Sequence, residues 1–141
     1  MTRNSVLRLI DANANRALEG LRVCEDIIRF HVESPRAFHR TRALRHAVAH
    51  AVDRLPVSHA DLARARASGR DIGKQAPASR VASLECLLLI NFRRAKEALR
   101  TLEECSRLIT PNRTTSFQHL RFRTYEVERD LLLTLAALRH R

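Results

Sequence analysis

The sequence has no tryptophan, only three glycines and four prolines, and aromatics make up just 4% of it. So few breakers leave little material for tight turns. Together with abundant Leu, Ala, Arg and Glu they point to helices. No stretch sustains the period-two alternation of a half-buried strand. With aromatics scarce, the core must be aliphatic. Three cysteines, Cys24, Cys86 and Cys105, are odd in number and widely spaced, which argues against a disulfide framework or a zinc site. They are expected to act as small core residues in a reducing compartment. The longest apolar run, CLLLI at 86–90, is far below membrane-spanning length, and MTRNSVLRLI has no secretory core. The expectation is a soluble, cytoplasmic protein. There is no GxxxxGK[ST], GxSxG or CxxC, and no RNA-binding aromatic motif; SGRDIGK at 68–74 lacks the spacing and preceding strand of a phosphate loop.

What is present suffices for one domain, residues 1–141, with 45% hydrophobic residues. The formal net charge is +11, and the excess is almost wholly arginine, with only Lys74 and Lys96 as lysines. Arginine suits bidentate recognition of phosphate or carboxylate. The partner is therefore expected to be anionic: a phosphorylated small molecule, a nucleic acid or an acidic protein.

Five helical stretches emerge. The first runs from Asn4 to His31, with Asn4 or Ser5 as a cap. Ser34 and Pro35 open the second, which ends before Pro56. A short third spans Ser58 to Ala67. Residues 68–79 form a loop. The fourth runs from Ser79 to Ile109, stopped by Pro111, and the fifth from Thr115 to Leu138. The fold class is an all-α, single-domain helical bundle.

The first and fourth helices repeat each other at an offset of 78 positions. Asn13, Arg16, Ala17, Glu19, Leu21, Arg22, Glu25 and Arg29 meet Asn91, Arg94, Ala95, Glu97, Leu99, Arg100, Glu103 and Arg107. The pattern predicts two pseudo-equivalent helices that pack together or around one site.

Both helices place an asparagine within an apolar face. Val6, Leu9, Ile10, Ala17, Gly20, Leu21, Cys24, Ile27 and Ile28 surround Asn13, with Arg16 at the edge. Leu84, Leu87, Leu88, Ala95, Ala98, Leu99, Leu102 and Cys105 surround Asn91, with Arg94 at the edge. An unpartnered buried amide costs on the order of 1–3 kcal/mol, so both should be satisfied. Two accounts remain open: a buried pair that fixes helix register, or the wall of a polar ligand site. On the fifth helix, Phe117, Leu120, Tyr125, Val127, Leu131, Leu132, Leu135 and Leu138 share a face into which Arg121, Thr124 and Glu128 intrude. Arg45 intrudes similarly beside Phe38, Val48 and Val52. A charge facing a core must be paired or face a cavity, and a polar cleft for an anionic ligand accounts for these residues together. Glu19, Arg22, Glu25, Glu97, Arg100 and Glu103 read as surface or interhelical ion pairs. His46 and His50 have metal-ligand spacing but no third partner. Arg66, Arg70 and Asp71 lie close in the loop, where Gly73 allows an unusual backbone turn and Asp71 could hold Mg²⁺ on a phosphate.

Taken in order, RLIDANANRALEGLRVCEDIIRF, LRH at 44–46, RASGRDIG at 66–73, Arg80, NFRRAKEALRTLEE at 91–104 and FQHLRFRTYEVE at 117–128 resemble a known family. It is the second-type hydroxymethylpyrimidine phosphate kinase domain of thiamine biosynthesis, which occurs alone or fused ahead of thiamine phosphate synthase. The likeness covers nearly the whole chain, and the single-domain length suggests the stand-alone form. It implies an ATP- and Mg²⁺-dependent kinase. The reaction would convert 4-amino-5-hydroxymethyl-2-methylpyrimidine phosphate to the diphosphate. Ile72 stands where Val is usual in the family, and Cys24 and Cys105 replace commoner apolar residues. On this reading Asn13 and Asn91 orient the ligand, and Arg16, Arg94 and Arg121 clamp phosphate. Arg45, Arg66 and Tyr125 belong to the binding motifs, and Asp71 or Glu128 contacts Mg²⁺. A functional link to thiamine phosphate synthase follows, and homo-oligomerisation is left open. The alternatives are a nucleic-acid-binding module, against which the inward polar residues count, an all-helical mutase or lyase acting on an anionic metabolite, and a non-catalytic partner of the synthase.

Overall fold

The computed structural model describes residues 2–78, 80–110 and 116–139. The expected helix boundaries at Ser79, Pro111 and Thr115 lie outside the described residues. Five α-helices are present: α1 (Thr2–Ile27), α2 (Pro35–Asp53), α3 (His59–Ala65), α4 (Leu84–Ile109) and α5 (Ser116–Arg139). No strand occurs among the described residues.

Local chemistry sets several boundaries. Ser34 accepts from the Ala37 N–H and Pro35 occupies the first helical position of α2. Ser58 and Asp61 form a reciprocal capping box on α3. Ser83 caps α4 by accepting from the Cys86 N–H, so that helix starts five residues later than expected, after a non-helical stretch at 80–83. Helical structure after α1 does continue past His31. Over Ile28–Val32 it widens into a π-helical turn, closed by the Glu33 N–H donating to the Ile28 carbonyl at 2.7 Å. Glu33 takes a left-handed conformation, φ 58°, and turns the chain into α2.

α1/α2 and α4/α5 are two antiparallel hairpins. α1 and α4 share the largest interface, α2 packs on α5, and α3 lies against α1. The α1–α4 pair is also antiparallel: Gly20 lies against Asn91 and Ala95, while the Cys24 thiol reaches the Leu88 carbonyl. The sequence repeat is therefore a structural pseudo-dyad. Burial repeats position by position: Ile10/Leu88, Ala14/Phe92, Ala17/Ala95, Leu21/Leu99, Cys24/Leu102 and Ile27/Cys105 are all buried. Ala17 and Ala95, at the centre of the crossing, have no exposed surface. Each large aliphatic side chain buried here contributes about 1.5–3 kcal/mol.

Some residues expected in the apolar faces are not in the core. Leu9 and Leu84 are 47% exposed; Tyr125, Leu132 and Leu138 are likewise at the surface. They lie at the margins of stripes whose centres are taken by residues nearer the helix crossings. Cys86 is exposed too, whereas Cys24 and Cys105 are buried.

Candidate functional site

Close packing at the α1–α4 crossing leaves a cleft of about 640 Å³ beside it. Its wall is built in matched pairs: Asn13/Asn91, Arg16/Arg94, Glu19/Glu97, Gly20/Ala98 and Val23/Thr101. The repeat thus both packs two helices together and frames one cleft.

The two asparagines are satisfied identically. Each carboxamide nitrogen donates to the carbonyl one turn back, Asn13 to Leu9 and Asn91 to Leu87, both at 2.9 Å. They bond to their own helices, not to each other as a register pair would. Among the described residues no fully buried side-chain oxygen or nitrogen lacks a partner. The carboxamide oxygens are thus not sealed from solvent, and both residues line the cleft, where a carboxamide oxygen can accept a hydrogen bond.

Arg16 and Arg94 are exposed at the mouth of the cleft. Among the described residues no carboxylate pairs with either guanidinium. Other arginines of the predicted set are committed within the chain. Arg45 on α2 donates to Glu25 at 2.5 and 3.3 Å. Arg121 on α5 donates to Glu103 at 2.9 Å. Glu25 and Glu103 are themselves a repeat pair, buried at 2% and 8% exposure. Each is met by an arginine from the helix that follows in the chain. Burial opposes ionisation of Glu25, but the Arg45 hydrogen bond and the charges of Arg45, Arg22 and Arg42 outweigh it and hold the carboxyl below its usual range. The Glu103 hydrogen bond, opposed by burial, raises Arg121 further.

Glu128 accepts from the Lys96 ammonium at 2.8 Å, and that ammonium lies 4.5 Å from the centre of the Tyr125 ring. Arg121–Glu103 and Glu128–Lys96 are two rungs, two turns apart, between α4 and α5. Arg121 and Glu128 do point the same way, but toward α4 partners. Arg121 and Tyr125 line a separate depression with Arg93, Lys96 and Arg100; it shares only Glu97 with the dyad cleft.

A second hollow, about 600 Å³, flanks the cleft on the α1 side and shares Asn13 and Arg16 with it. Arg66, just beyond α3, closes one wall by a bidentate pair to Asp11 at 2.6 and 2.8 Å. Asp71 lines the same hollow, and its Oδ1 accepts from the Gly73 N–H at 2.8 Å. Gly73 does not adopt a positive φ, so the turn there comes from this Asp side chain rather than from glycine's backbone freedom. Asp71 and Glu128, the two expected Mg²⁺ contacts, are not brought together. Among the described residues no three His, Cys, Asp or Glu side chains cluster as metal ligands, His46 and His50 included.

Sequence reasoning missed Arg8, Asp11, Glu19 and Glu97 as lining residues. Asp11 carried a signal, an acid beside an apolar helical stripe. Glu25 and Glu103 were legible as ion-paired but not as buried; the inward-facing Arg45 and Arg121 were the clue.

The architecture defines the class: an all-α domain of two paired helical hairpins with a polar cleft beside their pseudo-dyad. The chain belongs to the ThiD2 family, whose model matches residues 8–130. A thiamine-phosphate synthase of Synechocystis sp. is 37% identical over 131 residues, covering 91% of this chain and 36% of the relative. Thiamine-phosphate synthases of Nostoc sp. and Gloeobacter violaceus are 35% and 34% identical, covering 90% and 95% of this chain and 35% and 40% of theirs. The chain thus spans little more than a third of the length of the curated relatives it matches. No solved structure matches it. No described helix is long and apolar enough to cross a membrane.

Proposed function

We propose that the protein is a kinase of thiamine biosynthesis that uses ATP to convert 4-amino-5-hydroxymethyl-2-methylpyrimidine phosphate to its diphosphate. Family membership and the likeness to thiamine-phosphate synthases support the pathway. The single observation that carries the reaction is the pair of uncommitted guanidiniums, Arg16 and Arg94, facing one cleft beside two carboxamides whose oxygens are free to accept. Arg45 and Arg121, by contrast, are each committed to a buried carboxylate.

Phosphoryl transfer requires positioning and charge neutralisation more than covalent chemistry by the protein. An oxygen of the acceptor phosphate attacks the γ-phosphorus, the bond from that phosphorus to the bridging oxygen breaks, and ADP leaves. The acceptor oxygen is already anionic, so no general base is needed. Arg16 and Arg94 hold phosphate oxygens by charge-assisted hydrogen bonds. Asn13 and Asn91 accept from the exocyclic amine of the pyrimidine. Mg²⁺ on the nucleotide would need only one or two protein carboxylates and would supply further charge neutralisation. Asp71 fits that need, because one of its oxygens is bound to Gly73 and the other is not similarly held.

The test is incubation with Mg-ATP and the pyrimidine monophosphate, following ADP and diphosphate together. Diphosphate formed only when both substrates are present is the expected result. ADP release without diphosphate, or no turnover by a folded protein, overturns the reading.

A further inference from the structure

We propose that the two hollows are the acceptor and donor halves of one site: the pyrimidine phosphate lies in the dyad cleft and the nucleoside triphosphate in the flanking hollow. Arg16, which lines both, holds the phosphoryl group in transit. This rests on the kinase reading and deepens it.

The dyad cleft is symmetric in sequence; the flanking hollow is not. Asp11 and Arg8 have Leu89 and Cys86 as their repeat counterparts, so α4 cannot build a matching hollow. Arg66 and Asp71 come from the segment inserted between the hairpins, whose helix packs on α1. Two chemically different environments therefore meet at Asn13 and Arg16.

Their donor sets assign them. The flanking hollow offers Arg8, Arg16 and Arg66, with Asp71 beside them as a metal-capable carboxylate. That suits a polyphosphate carrying a divalent cation. Arg66 is preorganised: its Nε and one terminal nitrogen grip Asp11, and the side chain remains half exposed. The dyad cleft offers two carboxamides and two arginines, which suits a heterocycle bearing a single phosphate. Both volumes fall in the range of small-molecule sites, roughly 300–1,000 Å³. The consequence is a division of labour between repeat partners. Arg94 meets only the acceptor, whereas Arg16 meets both ligands.

Calorimetric titration with each ligand alone tests this, using a non-hydrolysable Mg-ATP analogue and the pyrimidine monophosphate. Arg8→Ala is expected to weaken the nucleotide by about tenfold, the loss of one charge-assisted contact, and to leave the pyrimidine phosphate unchanged. Arg94→Ala is expected to do the reverse, and Arg16→Ala to weaken both. None of these side chains has a carboxylate partner among the described residues, and a melting curve on each variant verifies folding. Equal effects of Arg94→Ala on the two ligands, or unaltered nucleotide binding by Arg8→Ala, overturn the assignment while leaving the kinase reading standing. Failure of the unaltered protein to bind either ligand overturns both.

Discussion

Gly20 on α1 sits so close to the main chain of Asn91 on α4 that a β-carbon at position 20 would stand 3.0 Å from the Asn91 carbonyl oxygen. That contact sets the approach of the two repeat helices and so the shape of the cleft beside them. Gly20→Val should therefore cost about 1–3 kcal/mol by overpacking, and should weaken pyrimidine phosphate binding by moving Asn91. Urea denaturation and calorimetry measure the two effects. A variant as stable as the parent would show that the helices can separate freely.

Arg45 and Arg94 stand in opposite surroundings: Arg45 is ion-paired to buried Glu25, whereas Arg94 is exposed at the dyad cleft with no carboxylate partner among the described residues. Arg45→Leu removes the close partner of the buried Glu25 carboxylate, leaving it only the longer ion pair to Arg22 at 3.7 Å, and should cost on the order of 3 kcal/mol, with KM for both substrates within about twofold, since the hydrogen bonds of Arg45 go to Glu25. Arg94→Ala should barely shift Tm and should raise KM for the pyrimidine phosphate. Melting curves and steady-state kinetics on both variants check the split. Preserved stability in Arg45→Leu would mean that Glu25 finds another partner.

Stability should fall in mild acid through Glu25. Its carboxyl titrates lower in the folded than in the unfolded chain, so its contribution is full above the unfolded value, about 4.3. The contribution is lost as pH falls below that toward the folded value, because the unfolded chain binds the proton first. Asp130, held low chiefly by its Arg40 hydrogen bond, acts in the same direction. Stability measured from pH 7 to 3 should decline over the lower part of that range. The decline should be shallower in Glu25→Gln, and an unaltered slope would refute the role of this carboxyl.

The three thiols should differ sharply. Cys86 is exposed, whereas burial, aided by the Glu128 charge, pushes the Cys24 thiol far up. Burial also raises Cys105. The thiolate is the reactive form. A disulfide reagent at pH 8 should titrate Cys86 quickly in the folded protein and all three thiols only in denaturant. Fast labelling of Cys24 would indicate that the α1–α4 interface opens readily.

The five helices and their pairing across the repeat were legible in the sequence, because apolar spacing and caps act locally. Asn13 with Arg16 and Asn91 with Arg94 were legible as a group that lines one cleft for a related reason: polar groups in or beside an apolar stripe at matching positions demand a common explanation. The ion-pair geometry was not legible. Whether Arg45, Arg121 and Glu128 face a ligand or a neighbouring helix depends on which side chain stands opposite. That is a property of the packing and not of the helix that carries them.

The sequence by itself determined the elements, the aliphatic core and the doubling of α1 by α4, since each follows from residue type at helical spacing. The tertiary structure alone decided that Glu25 and Glu103 are buried and take Arg45 and Arg121 as partners. It also decided that α3 and the 66–71 segment lie on α1, so that a symmetric cleft gains an asymmetric neighbour. Those outcomes depend on contacts between residues 18 to 55 positions apart, where helix packing and electrostatic complementarity outweigh local propensity.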